Sequence, residues 1–315
     1  RLSLVGSEMC IRDRGAQFVG MGKDLYENNP LAKEMFEKAN EILGFRITDL
    51  MFAGTDEDLR QTKVTQPAIF LHSVILAKTL GDQFKPDMTA GHSLGEFSAL
   101  VAAGALSFED GLVLVSKRAM AMQKACEATP STMAAVLALP DEKVEEICAS
   151  IEGEVVVCAN YNCPGQIVIS GETEQVKQAA DKLKEAGAKR AVLLNVSGPF
   201  HSSLLTGAGE KLEAVLKELT IEKPQIPYVA NVDASYITEQ ADIMPRLVSQ
   251  VSHSVRWQQS VEKMVENGVD TFIEIGPGRT LAGFNKKIAK AIGKELTTYN
   301  VATMEDIDKV VEALK

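Results

Sequence analysis

Apolar positions recur along the chain with two alternating periods. From Gly15 onward, stretches spaced for helices alternate with short runs spaced for strands. In DLYENNPLAKEMFEKANEILG, Leu31, Met35, Ala39 and Leu43 fall on one helical stripe. VTQPAIFLHSVILAKTLGDQF reads as an apolar helix, with His72 packed inside it. A short strand at about Met88–Gly91 follows, then EFSALVAAGAL and FEDGLVLVSKRAMAMQKAC as helices. The small residues Ala99, Ala102, Ala103 and Gly104 let the first of these lie close to its neighbours.

The middle of the chain has a different rhythm. STMAAVLAL reads as strand, DEKVEEICASI as helix, EVVVCANYN and CPGQIVISG as strands, ETEQVKQAADKLKEAG as helix and AKRAVLLNVS as strand. That β-α-β-β-α-β order predicts a ferredoxin-like subdomain over residues 129–197, inserted into a larger α/β unit made of 15–128 and 198–315. After the insertion, PYVANV and TFIEIGPG read as strands of the larger unit. SSLLTGAGEKLEAVLKEL, ADIMPRLVSQVS and WQQSVEKMVENG read as its helices.

Composition narrows the function classes. A net charge of −10 disfavours non-specific binding to nucleic acid or to an anionic membrane. No apolar run reaches the roughly 18 residues of a membrane span. The five cysteines form no CxxC pair, so neither a disulfide scaffold nor a zinc site is expected, and a reducing cytoplasm is the simplest setting. No metal or nucleotide fingerprint is present, and a monomer is expected.

The candidate chemistry starts at Gly91-His92-Ser93-Leu94-Gly95. A strand ending at Gly91 and a helix starting after Leu94 would hold Ser93 on a tight elbow, its hydroxyl exposed at a helix N-terminus. The Leu94 backbone N–H would then face an oxyanion formed on attack by Ser93. This predicts a hydrolase-like large subdomain with a parallel central sheet.

Ser93 needs a base, and the chain has four histidines. His72 belongs to the apolar helix, and His92 is adjacent to Ser93 and should point away. By elimination His201, in the loop SGPFHSSLL, is the expected base, with His253 its rival. Ser202 could cap the helix that follows. No single acid stands out to orient the histidine, so a backbone carbonyl or an amide side chain is the alternative, with Gln250 a candidate.

GHSLGEFSAL, KRAMAMQKA, NYNCPGQIVISG, SGPFHSSLL, QVSHSVRW and EIGPGRTLAG occur in this order, and with them the chain resembles malonyl-CoA:acyl carrier protein transacylases. The resemblance runs from about Gly15 to the C-terminus. It implies transfer of malonyl from malonyl-CoA to a serine, then to the phosphopantetheine thiol of acyl carrier protein, in fatty acid synthesis. No bound cofactor is implied, because coenzyme A and phosphopantetheine enter as substrates. It implies Ser93 as nucleophile, His201 as base, Arg118 as partner of the free malonyl carboxylate, Gln250 as the residue orienting the histidine and Leu94 as an oxyanion donor. Asn160 and Asn162 match polar residues edging the cleft. Phe200 matches an aromatic that goes with malonyl and against branched acyl groups. For the acidic carrier protein, Lys286, Lys287 and Lys290 with Arg279, or Lys189 with Arg190, are the candidate docking cations.

The chain departs from the resemblance at its start. Where the family has an apolar strand and a GQGAQ-like turn, only Gly15-Ala16-Gln17 remains of the turn. Arg14 stands where a glutamine would give the second oxyanion N–H. Residues 1–14 therefore read as an atypical, non-native segment, and Arg14 as a backbone donor in doubt. A version with an apolar strand and Gln at residue 14 is expected to be more stable and more active. Three other functions stay open on sequence: a serine hydrolase or thioesterase, a discrete acyltransferase of a polyketide pathway, and a non-catalytic carrier-binding subunit.

Overall fold

The computed structural model describes residues 2–6, 16–81, 85–194, 196 and 198–314. Arg14 lies outside them. Two sheets organise the chain. The larger has six strands: β1 (Leu2–Gly6), β2 (Met88–Gly91), β7 (Tyr228–Val229), β8 (Tyr236–Ile237), β9 (Thr271–Ile275) and β10 (Thr297–Val301), in the order β10-β9-β1-β2-β7-β8. All neighbours are parallel except β7 and β8. The atypical N-terminal run thus supplies a strand inside the sheet, between β2 and β9. Gly6 ends it in register with Gly91 and Ile275.

The helices of the larger unit are α1 (Lys23–Asn28), α2 (Pro30–Leu43), α3 (Ile47–Ala53), α4 (Asp56–Arg60), α5 (Thr62–Leu80), α6 (Gly95–Ala102) and α7 (Phe108–Ala128) before the second sheet. After it come α10 (Thr206–Leu216), α11 (Ile243–Gln250), α12 (Trp257–Glu266), α13 (Thr280–Ala291) and α14 (Met304–Ala313). The stripe expected in the first helical stretch is corrected. The chain breaks at Asn29, whose side chain caps α2 at Ala32, with Pro30 at the first helical position. The buried face is Ala32, Phe36, Ala39 and Asn40, while Leu31 is 47% exposed. α5 is buried nearly all round, as its continuous apolar run requires.

The second sheet holds β3 (Ser131–Leu137), β4 (Val156–Cys163), β5 (Gln166–Glu172) and β6 (Arg190–Leu193), all antiparallel in the order β4-β5-β3-β6. With α8 (Asp141–Ala149) and α9 (Thr173–Glu185) it follows the β-α-β-β-α-β order read from the periodicity. Alternation along the strands gives it two buried faces. Ala134, Val136, Ile167 and Ile169 pack with Val144, Val176 and Leu183 of α8 and α9. Met133, Ala159 and Val168 face the other way and join the core of the larger unit.

A backbone seam joins β4 to the segment between α11 and α12 of the larger unit. Val255 N–H donates to the Ala159 carbonyl, and Tyr161 N–H donates to the Val255 carbonyl, both at 2.9 Å. No helix among the described residues is long and apolar enough to cross a membrane.

Candidate active site

β2 delivers the serine. Its last residue, Gly91, packs so closely on the start of α6 that a Cβ there would overlap the Gly95 carbonyl. The glycine at position 91 is therefore a steric requirement of the turn. Just beyond it Ser93 takes φ 54°, a left-handed conformation that costs a non-glycine residue about 1–3 kcal/mol and that the surrounding packing must hold. Leu94 is the N-cap of α6, so the positive end of that helix lies at the residue following the serine.

His201 reaches the serine from the loop after β6. It too has a positive φ, 59°. Ser202 does not cap the following turn with its side chain; its Oγ donates to the Pro199 carbonyl at 2.7 Å and closes the loop instead. His201 Nε2 lies 2.9 Å from Ser93 Oγ. Its Nδ1 faces two backbone carbonyls, Gln250 at 2.8 Å and His253 at 3.2 Å. A ring nitrogen facing carbonyl oxygens must carry the proton, which leaves Nε2 as acceptor for the serine hydroxyl. Burial, and then the Arg118 charge, push His201 down to about 3, so it is neutral and ready to accept at ordinary pH.

The rival base falls away on geometry. The His253 ring is exposed and turned to Ser249 and Ser252, and only its carbonyl serves the site. His72 is fully buried within α5, and burial lowers it to about 4. His92 points away from Ser93, as adjacency requires, and meets Asn162 Oδ1 at 2.9 Å beside the Trp257 ring.

Arg118 on α7 is 1% exposed. Its Nη2 donates to Ser93 Oγ and to Gln250 Oε1, each at 3.1 Å, and its Nη1 donates to Gln66 Oε1 at 2.6 Å. The guanidinium also lies 5.3 Å from the centre of the Phe97 ring. Gln250 thus plays two parts. Its carbonyl holds the histidine, while its side-chain amide donates to the Ser93 carbonyl at 2.7 Å and to Glu96 Oε2 at 3.0 Å.

Other candidates sit one layer out. Asn162 touches the elbow at His92 rather than at Ser93. Asn160 is buried and its backbone pairs with Val255. Phe200 is 8% exposed and packs into the main core, its ring close over Gly198. Sequence reasoning missed Gln66, Glu96 and Asn231. Gln66 had one signal, an amide set inside an apolar helical run beside Pro67.

A strained serine in contact with a neutral histidine, with a buried cation on the same oxygen, defines a serine-dependent acyl-transfer site. Residues 13–305 match the family described as acyl transferase domain, and the chain belongs to that family. It is 45% identical over 305 residues to the malonyl CoA-acyl carrier protein transacylase of Bacillus subtilis (strain 168), covering 96% of this chain and 95% of that one. An acyl carrier protein S-malonyltransferase from Vibrio cholerae has a similar structure, with TM-score 0.92 and 39% identity over 98% of this chain and 99% of that one. A malonyl-transacylase solved in complex with its type II PKS acyl-carrier protein superposes with TM-score 0.92 at 35% identity, over 99% of each chain.

Proposed function

We propose that this acyltransferase moves malonyl from malonyl-CoA to the phosphopantetheine thiol of acyl carrier protein through a malonyl ester on Ser93, supplying fatty acid synthesis. Ser93 Oγ attacks the thioester carbonyl while His201 Nε2 takes its proton. The Leu94 N–H, at the head of α6, receives the oxyanion. Arg14 is proposed as the second backbone donor. The intermediate collapses, the C–S bond breaks, and coenzyme A leaves as the thiol with the proton from His201. In the second half the carrier thiol gives its proton to His201 and attacks the ester. Ser93 then leaves and recovers that proton.

The observation that carries this reading is the 3.1 Å bond from Arg118 to the nucleophile oxygen. A buried guanidinium so close to the reacting atom suits an acyl group whose carboxylate lies two bonds beyond its carbonyl. Phe200 is proposed as a wall against branched acyl groups, and Asn160 and Asn162 as supports of the cleft edge. The division into residues 15–128 with 198–315 and an inserted 129–197 belongs to the same proposal. So does a monomer working in the cytoplasm.

Intact-mass measurement after exposure to malonyl-CoA tests the reading. A persistent malonyl adduct on Ser93, discharged by carrier protein, is expected. Rapid release of free malonate without an adduct would instead make the protein a hydrolase. The likeness to the complex with a type II PKS carrier favours one second reading, transfer within a polyketide pathway. Competition between fatty-acid and polyketide carriers for the same malonyl-enzyme separates the two.

A further inference from the structure

Strand β2 is supported on one side by β7 over only two paired positions, Thr89 with Tyr228 and Ala90 with Val229. The ladder ends there, yet the strained serine comes three residues later. What continues the support is a side chain. Asn231, 1% exposed, lies two residues past β7. Its Nδ2 donates to the Gly91 carbonyl at 2.6 Å and its Oδ1 accepts from the Ser93 N–H at 2.7 Å. One amide thus spans the elbow, pairing with the carbonyl before the turn and with the amide at its strained centre, as a strand residue would.

Asn231 is itself fixed. Its backbone N–H donates to Glu96 Oε2 at 3.3 Å, and the same oxygen accepts from Gln250 Nε2. The loop beyond it is closed by the bonds from Ala234 N–H to the Ala230 carbonyl and from Ala230 N–H to the Ser235 carbonyl. A ring results, running Ser93, Asn231, Glu96, Gln250, His201 and back to Ser93, in which every side chain is at most 2% exposed.

We propose that Asn231 is a positioning residue of the nucleophile, holding Ser93 in its left-handed conformation and in line with His201 through the Gly91 carbonyl and the Ser93 N–H. This rests on the acyl-transfer reading of Ser93. Asn231 acts on the elbow backbone, at the Gly91 carbonyl and the Ser93 N–H, so its loss should slow attack on every acyl group alike, unlike loss of Arg118.

The test uses Asn231→Ala and Asn231→Asp in the full chain, each exposed to malonyl-CoA and acetyl-CoA. Asn231→Ala should slow acylation of Ser93 by roughly ten- to hundredfold for both thioesters with little change in KM, the range expected when a reacting group is misplaced by a fraction of an ångström to an ångström. Asn231→Asp keeps the shape and the acceptor but sets a carboxylate oxygen against the Gly91 carbonyl. It should be as slow as the alanine variant near pH 8 and recover as the pH is lowered, because a protonated carboxyl donates as the amide did.

The titratable and charged groups around this ring are Glu96 on α6, Arg118 on α7, His201 and His92 in the loops, Tyr228 on β7, Asp233 beyond Asn231 and Arg246 on α11. Wild type measured over the same pH range sets the baseline for all of them. Equal acylation by wild type and both variants overturns the proposal, as does an aspartate variant whose deficit is the same at every pH. A wild-type chain that forms no Ser93 adduct would overturn the acyl-transfer reading instead.

Discussion

Replacing Arg118 by alanine separates recognition of the acyl carboxylate from activation of the serine. The side chain is buried and donates hydrogen bonds to Gln66, Gln250 and Ser93. With malonyl-CoA, the variant must bury a carboxylate with no cation beside it. Truncating one partner of a buried, hydrogen-bonded charge pair costs about 2–5 kcal/mol. At about 1.4 kcal/mol per factor of ten, kcat/KM for malonyl should fall by roughly thirtyfold to several thousandfold. Acetyl-CoA brings no carboxylate. What it loses is the bond to Ser93 Oγ and some order in Gln250, on the order of 1 kcal/mol, or less than about tenfold. The ratio of the two kcat/KM values is the measurement, taken from the rate of Ser93 adduct formation under single-turnover conditions. Arg118→Lys should recover only part of the ratio, because an ammonium cannot serve Gln66 and a carboxylate with a planar fork. If malonyl and acetyl transfer fall by the same factor, Arg118 positions the serine and does not read the substrate.

Three further outcomes follow from the geometry. Burial holds His72 and His92 at about 4 and His201 at about 3, so between those values and the ordinary 6.5 the unfolded chain binds protons that the folded chain refuses. Glu96, raised by burial to about 8, acts in the opposite sense, and its contribution is lost as pH rises from 4.5 to 8. Near pH 5 the three histidines outweigh the one carboxyl, so stability should fall on the order of 2 kcal/mol per pH unit on acidification, with a maximum near neutrality. A urea midpoint unchanged between pH 7 and pH 5 would contradict this. Gly91→Ala should lower the melting temperature and adduct formation together, because its Cβ overlaps the Gly95 carbonyl; Gly207→Ala, on α10 with open space around it, should leave the melting temperature equal or higher. Charge reversal at Lys286 and Lys287 should raise KM for carrier protein in a salt-dependent way while acylation by malonyl-CoA stays unchanged, and an unchanged carrier KM removes that face of α13 as the docking surface.

How much of this could be read from the sequence depended on how local the information was. Strands β3 to β6 and helices α8 and α9 follow from short apolar periods, because each element buries one face against its immediate neighbours. The elbow was legible because its demands fall close together, a close approach at Gly91 and a left-handed backbone at Ser93, inside a five-residue motif. The stripe in α2 was misplaced because Leu31 and Ala32 are both apolar, and only the packing of Phe36 decides which face turns inward. Glu96 and Asn231 carried no signal. Their partners lie far away in sequence, and a buried amide beside a turn looks like any loop asparagine until the strand ending next to it is known. Gln250 was legible as a candidate, but its working atom in holding the histidine is a backbone carbonyl, which its side chain does not announce.

That carbonyl bears on which acceptor takes the acyl group. A histidine held by a carboxylate gains a counter-charge when it becomes imidazolium. Here Nδ1 meets two neutral carbonyls, and the Arg118 cation sits on the same serine oxygen that Nε2 serves. Both features make the imidazolium costly and the base weak. The two possible acceptors feel that weakness unequally. Water, with a pKa of about 15.7, can attack an ester at neutral pH only if the base takes most of its proton in the transition state. A thiol, with a pKa of about 8.5, is partly ionised already and needs far less help. Weakening the base therefore slows hydrolysis more than thiolysis. The orientation of His201 by backbone rather than by an acid favours a serine ester that waits for a thiol.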